Sequence, residues 1–202
     1  MTLGKTLLSI AGILLSNACL AFPIAPFGTE GLLVTVTSTS AIVATYQGNS
    51  ASYSNDLYLS LDALGNPADD GILSNDLFIF NNHTSLVGST VSLGSYSIGT
   101  ELIFRLHVND TGDDFLSGPS TRNADGKAHA RVQSDWALNE ALVSFEDLAG
   151  TPEYPDGYND LSFSFTNTRG TPRDVDQVPE PGTLALLGIG LGATLLRRRR
   201  PR

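Results

Sequence analysis

Cysteine, histidine and the common catalytic motifs are scarce in this sequence or absent from it. Cys19 is the single cysteine among 202 residues, so an internal disulfide cannot form and stability has to come from a packed core or bound ions. His83, His107 and His129 are the only histidines, and there is no Gly-x-Ser-x-Gly, no His-Glu-x-x-His and no phosphate-binding loop. We therefore expect no catalytic residue and no enzyme activity.

Basic residues are also few between the two ends of the chain. Residues 22–176 contain 20 acidic side chains against six basic ones, which gives this region a net charge of −14. Such a surface repels phosphate backbones, so we expect no nucleic-acid partner. It suits a soluble exported protein and supplies oxygen ligands for hard cations.

Helical periodicity is missing from this region, and a period of two replaces it. Alternation of apolar and polar residues is clearest at 57–61, 102–108 and 161–166, and further strands are predicted at 32–37, 41–46, 76–80, 86–93, 127–133 and 141–146. Turn signals separate them, including 65–67, 70–71, 109–114 and 156–157. Many short strands predict a single antiparallel β-sandwich or jelly-roll-like domain over residues 22–166, with a linker at 167–177. The alternation puts Ser162, Ser164, His107 and His129 on the solvent side.

The N-terminus has the pattern of a secretory signal peptide. Lys5 precedes an apolar stretch at 6–15, and the small residues Ala18, Cys19 and Ala21 follow it. We expect residues 1–21 to be removed by cleavage after Ala21, which leaves Phe22 as the new N-terminus and takes the only cysteine away. The alternative is lipoprotein processing at Cys19.

The C-terminal 25 residues combine a short apolar run with a cluster of positive charge. Residues 183–196 hold 14 residues without a charge, which as a helix span about 21 Å, less than a full hydrocarbon core. The arginines that follow can snorkel to the headgroups and are costly to translocate, so they should stop transfer and stay in the cytoplasm: Arg197, Arg198, Arg199 and Arg200. This segment predicts a short membrane helix with everything upstream on the outside.

The order of elements at this end resembles the PEP-CTERM sorting signal of exported Gram-negative bacterial proteins. Val-Pro-Glu-Pro-Gly at 178–182, a short Leu/Gly-rich helix and a terminal arginine cluster carry the resemblance over residues 178–202. It implies recognition of Pro179, Glu180 and Pro181 by an exosortase, an integral-membrane enzyme that removes the helix and the arginines. The prolines cannot join a helix interior, so they keep Glu180 extended and accessible. The alternative is a simple tail anchor.

An acidic loop between the last two predicted strands is the second informative segment. Glu146, Asp147, Asp156, Asn159 and Asp160 lie between two alternating strands. Carboxylates at this density repel one another and either stay solvated or share a cation, for which calcium with 6 to 8 oxygen ligands is suitable. The other interpretation is that Asp156 and Gly157 make a turn and the acids face water.

Residues 90–166 also resemble a domain-of-unknown-function family of bacterial extracellular proteins. The resemblance rests on Phe-Glu-Asp-Leu at 145–148, Tyr-Asn-Asp at 158–160, and the upstream segments 93–104 and 123–129. By position it implies the same acidic residues as calcium ligands, and it implies no known reaction.

Three classes of function follow. The first is a non-catalytic surface or extracellular-matrix protein, exported across the inner membrane, held transiently by its C-terminal helix and then released by an exosortase to the cell surface or the exopolysaccharide. The second is a calcium-dependent carbohydrate-binding module, which needs an acidic rim near exposed aromatics such as Tyr154 or Tyr158. The third is a hydrolase, which needs a cleft that encloses paired carboxylates.

Overall fold

Short strands dominate residues 21–150 and 157–172, which are the residues that this computed structural model describes. In chain order they are β1 Leu33–Val36, β2 Ile42–Gly48, β3 Asn55–Leu59, β4 Leu77–Asn81, β5 Thr90–Gly94, β6 Glu101–Leu102, β7 Phe104–Val108, β8 Asp114–Leu116, β9 Ala130–Ala137, β10 Glu140–Phe145, β11 Leu161–Thr166 and β12 Thr168–Thr171. Two single-turn 3-10 helices, Leu73–Asn75 and Ser120–Arg122, interrupt them. Among the described residues, no helix has the length and apolar character needed to cross a bilayer.

The strands form three antiparallel sheets. One has five strands in the order β5-β2-β11-β10-β9, one has four in the order β4-β3-β7-β8, and one has three in the order β12-β1-β6. The predicted all-β class is therefore confirmed, and all the strand pairs are antiparallel.

The five-stranded and four-stranded sheets contact each other through aromatic side chains. In β2 and β3 alternate residues are buried, as a strand with one core face requires. The rings of Phe104 and Phe165 stack with centroids 4.1 Å apart, and those of Phe80 and Phe163 stack at 6.0 Å. These contacts place the core between the two sheets.

Strand β11 is buried on both faces, so the expectation that Ser162 and Ser164 face water is wrong. The extended segment before β1 covers Ser162, while Gln47 Nε2 in β2 donates to Ser164 Oγ (2.9 Å). Ser162 Oγ donates to the backbone oxygen of Pro23 (2.6 Å), and Ser144 Oγ accepts from the backbone N–H of Ala25 (2.9 Å). Buried hydroxyls need such partners, and here the chain's own N-terminal backbone supplies them.

Several predicted boundaries are also wrong. Strand β12 pairs with β1 from Leu33↔Thr171 to Val36↔Thr168, so this part of the expected linker at 167–177 belongs to a sheet. The turn expected at 109–114 is present between β7 and β8, but β8 itself was not predicted, and it begins at Asp114, inside the expected turn, where it pairs with β7. The strands expected at 86–93 and 127–133 begin later, at Thr90 and Ala130. The signal peptide up to residue 20 and residues 173–202 lie outside the described residues.

Candidate functional site

Three of the predicted acidic residues meet where β10 ends and β11 begins. Glu146 and Asp147 directly follow β10, Asp160 directly precedes β11, and the pairing Phe145↔Leu161 holds the two strand ends side by side. One carboxylate oxygen from each residue lies within 4.8 Å of the other two. Since calcium binds oxygen at 2.3 to 2.6 Å, two of its ligands lie at most about 5 Å apart, and this spacing suits one shared ion.

The acidic cluster is buried, which contradicts the interpretation in which these acids face water. Glu146, Asp147 and Asp160 are 1%, 5% and 6% exposed. Backbone N–H groups orient two of the carboxylates: Asp147 N–H donates to Asp160 Oδ2 (2.8 Å), while Leu148 and Tyr158 N–H each donate to Glu146 (3.2 Å). Hydrogen bonds of this kind hold the carboxylates in a fixed direction.

Asn55 is a member of this site that sequence reasoning missed. It is the first residue of β3, in the four-stranded sheet, and its side chain is fully buried. Its Nδ2 donates to Asp147 Oδ2 at 2.7 Å across 92 positions of sequence, while its Oδ1 is buried and, within residues 21–150 and 157–172, has no hydrogen-bond partner. No local pattern could have indicated a contact between two different sheets at this separation.

His129 is buried next to the acidic cluster, so the expectation that it lies on the surface is wrong. Its ring stacks on Phe115 with centroids 3.8 Å apart. Nδ1 lies 3.0 Å from the backbone oxygen of Glu146, and Nε2 lies 3.0 Å from Asp125 Oδ2. The histidine therefore connects the turn at 123–126 to the end of β10.

Asp125 is held in its charged form by the same contacts. Burial acts to raise its pKa, but hydrogen bonds from the N–H groups of Gly150 (2.8 Å) and Lys127 (3.0 Å) and from His129 outweigh it and lower the pKa to about 2. Its bond with the N–H group of Gly150 also holds in place the chain segment that follows Glu146 and Asp147.

Of the two other predicted ligands, Asn159 belongs to the described residues and Asp156 does not. Asn159 is half-buried, and its backbone oxygen accepts from Ser50 N–H (2.9 Å). Asp156 and Tyr154 lie outside the described residues, so their predicted roles stay predictions. Tyr158 was expected to be an exposed aromatic but is buried against the Arg131 guanidinium, 4.3 Å from the ring centroid.

Tyr158 is fixed by strong contacts. Its hydroxyl donates to the backbone oxygen of Ala128 (2.6 Å). Burial raises the pKa of this hydroxyl to about 12, with Glu30 adding to the shift and Arg131 opposing it.

A second charged cluster lies on the other face of the four-stranded sheet. The buried Arg105 pairs through Nε with Asp76 (2.7 Å), through Nη2 with Asp69 (2.5 Å) and through Nη1 with Asp114 (3.3 Å), and His107 also contacts Asp114 (2.9 Å). Burial alone would lower the pKa of Arg105, but the three carboxylates raise it. This is a closed ion-pair network in which the arginine is fully engaged.

Comparison with known proteins identifies the C-terminal segment. The PEP-CTERM protein-sorting motif matches residues 177–200, which confirms the resemblance found in the sequence. The chain is thus a protein that carries a PEP-CTERM sorting signal. No curated protein and no solved structure matches this chain, and the resemblance of residues 90–166 to a domain of unknown function stays a prediction.

Proposed function

We propose that this chain is an exported, non-catalytic surface or extracellular-matrix protein, which an exosortase sorts and shortens at its C-terminus. The PEP-CTERM motif at residues 177–200 is the observation that carries the proposal. In this account the helix at 183–196 holds the protein in the inner membrane for a time, and Arg197 to Arg200 stop its transfer. Pro179, Glu180 and Pro181 present the recognition element to the exosortase outside the membrane, and the shortened body then passes to the cell surface.

The arrangement of the carboxylates supports a body without catalytic function. We take this body to be a β-sandwich scaffold. Glu146, Asp147 and Asp160 are buried, while general acids and bases have to reach a substrate. In the groove beside β12, Glu101 is held by two bonds to Arg122 (2.7 and 3.0 Å). A carboxylate fixed in this way stabilises the fold.

A second candidate function is calcium-dependent binding of carbohydrate in the exopolysaccharide. The buried acidic cluster favours it, because calcium is the hard cation for which three converging carboxylates are suited. Tyr158 is too buried to stack on a sugar. Among the described residues, Phe27 (88% exposed), Phe78 (48%) and Trp136 (38%) are exposed aromatics that could do so, and Phe78 packs edge-on against Tyr58 at 5.5 Å.

The sorting proposal is tested by following the full chain in a Gram-negative host that encodes an exosortase. We expect the protein in the envelope or medium, where added protease reaches it, and we expect Glu180→Gln to accumulate in the inner membrane. Glu153→Gln removes the same charge from the body and serves as the matched control. Equal distribution of all three proteins between membrane and exterior would refute exosortase sorting.

The non-catalytic part is tested on the same purified protein. Incubation with the host's exopolysaccharide should release no reducing ends above the level of a heat-denatured sample. Retention on immobilised exopolysaccharide that disappears with chelator would favour the second candidate, and release of reducing ends would refute the absence of catalysis.

A further inference from the structure

We propose that a single calcium ion binds among Glu146, Asp147 and Asp160 and that Asn55 Oδ1 is its fourth side-chain ligand. The proposal deepens the second candidate function, since it names the ion and the residues that hold it. It places the ligands on two sheets. Asn55 is the first residue of β3, and the carboxylates directly follow β10 and directly precede β11.

The first observation is the convergence of the three carboxylates. Their ligand atoms lie within 4.8 Å of one another in a buried site. Carboxylates this close to one another in a buried site repel each other when they are charged. A divalent cation at the centre converts this repulsion into attraction, and burial then strengthens the attraction.

The second observation is independent of the carboxylates. The amide of Asn55 is directed at the cluster, because its Nδ2 is bonded to Asp147 Oδ2 at 2.7 Å. Its Oδ1 is buried and has no hydrogen-bond partner among the described residues. A buried polar atom without a hydrogen bond is destabilising, and native proteins rarely leave one in that state. A cation beside Asp147 satisfies Oδ1 while Nδ2 keeps its bond.

The donor set selects calcium among the divalent cations. All four side-chain ligands are oxygens, which suits hard cations and disfavours zinc and copper. The site consists of backbone-anchored carboxylates at unequal spacings, and calcium accepts irregular geometry with 6 to 8 ligands. Magnesium requires a near-ideal octahedron and gives up its bound water reluctantly.

Such an ion would join the two sheets at one edge of the core. In its absence the Asn55 contact is a single hydrogen bond between β3 and the turn after β10. With it, both sheets would share a charged centre. Calcium should therefore raise the thermal stability of the whole body and not only order a loop.

The test is a calorimetric titration of the full chain in zwitterionic detergent with calcium chloride, after dialysis against chelator. We expect one ion per chain with a Kd of about 10⁻⁴ to 10⁻³ M, as in extracellular calcium modules, and binding of magnesium at least about tenfold weaker. A melting temperature measured with calcium and with chelator should differ in the same samples.

Two variants locate the ion. Asp160→Asn removes one charged ligand and should weaken binding about tenfold or more. Asn55→Asp adds a charged ligand, so it should tighten binding about tenfold and lower the melting temperature in chelator, where a fourth carboxylate joins the repulsion. A variant that only damages the fold would not tighten binding. Asp113→Asn removes an exposed acid from a turn and is the matched control.

Several results would overturn the proposal. A folded chain without a calcium-dependent melting temperature and without binding heat would refute the site. Binding that Asp160→Asn leaves unchanged would place the ion elsewhere, and equal affinity of Asn55→Asp and the natural chain would remove Asn55 from the ligands. These outcomes are separate from the glycan function, because a chain that binds calcium here but no polysaccharide refutes only that function.

Discussion

The imidazole of His129 bonds to the backbone oxygen of Glu146 through Nδ1 at 3.0 Å, and through Nε2 it reaches Asp125 at the same distance. One buried ring thus fixes the position at which the acidic cluster begins. Because Glu146 and Asp147 are adjacent, this bond holds the backbone from which both side chains extend.

Removal of this ring should destabilise the body and disturb the cluster. We expect His129→Ala to lower the free energy of unfolding by about 3 kcal/mol, through a cavity beside Phe115 and the loss of the bond to the backbone oxygen of Glu146. Urea denaturation measures the loss. His83→Ala, at an exposed position, should change stability by less than about 0.5 kcal/mol. Equal stability of the two variants would show that the His129 contacts contribute nothing.

The lowered pKa of Asp125 predicts that the folded protein loses stability in acid. Its pKa is about 2 in the folded chain and about 3.9 in an unfolded one, so the unfolded state binds the proton first as pH falls. Its contribution is complete above about pH 4 and is lost as pH falls towards 2. The difference in unfolding free energy between the natural chain and Asp125→Asn should therefore shrink from pH 6 to pH 3 in urea titrations. A difference that does not change with pH would contradict this assignment.

Substitution of Arg105 should be among the most destabilising changes in the four-stranded sheet. Arg105→Met leaves Asp76, whose side chain is fully buried, without its cation, and we expect a loss of about 3 to 5 kcal/mol. Salt should not rescue it, since buried charges are poorly screened. Arg169→Met, an exposed arginine in β12, is the matched control. Similar losses in both variants would contradict a buried network.

Gly48 marks the place where the N-terminal segment crosses β2. Its φ is +138°, and a Cβ there would lie 2.6 Å from Phe22 Cβ. Gly48→Ala should cost about 1 to 3 kcal/mol in urea denaturation. Gly65→Ala, with φ +82° and open space around it, isolates the backbone strain. Phe22→Gly should recover part of the loss in a double variant, and no recovery would show that Phe22 does not cause the crowding.

Sequence patterns predicted the strands that carry their own alternation. Strands β2, β7, β10 and β11 have enough apolar residues at a period of two to be recognised. Strands β8 and β12 do not. Strand β8 has only three residues and β12 is polar, and they become strands by pairing with β7 and β1. Gly170 made β12 resemble a linker, although it is packed against Ser134 and Val132.

The acidic residues of the site could be predicted from the sequence, but the residues that hold them in place could not. The sequence singled out Glu146, Asp147 and Asp160 because they lie next to two segments with the clear alternation of strands. Asn55 and His129 did not, since their roles depend on contacts made across 92 and 17 positions of the chain. Alternation also placed His129 and Ser162 on the solvent side, because it does not reveal which outer faces other segments cover.

If residues 177–200 are a sorting signal that an exosortase removes, the mature protein has a shortened C-terminus. The measurement that decides this is the intact mass of the mature protein from an exosortase-bearing host. We expect the natural protein to lack the apolar run and the arginine cluster, and the Glu180→Ala protein to keep both. A natural protein that still carries Arg197 to Arg200, with the same C-terminus as the variant, would contradict it.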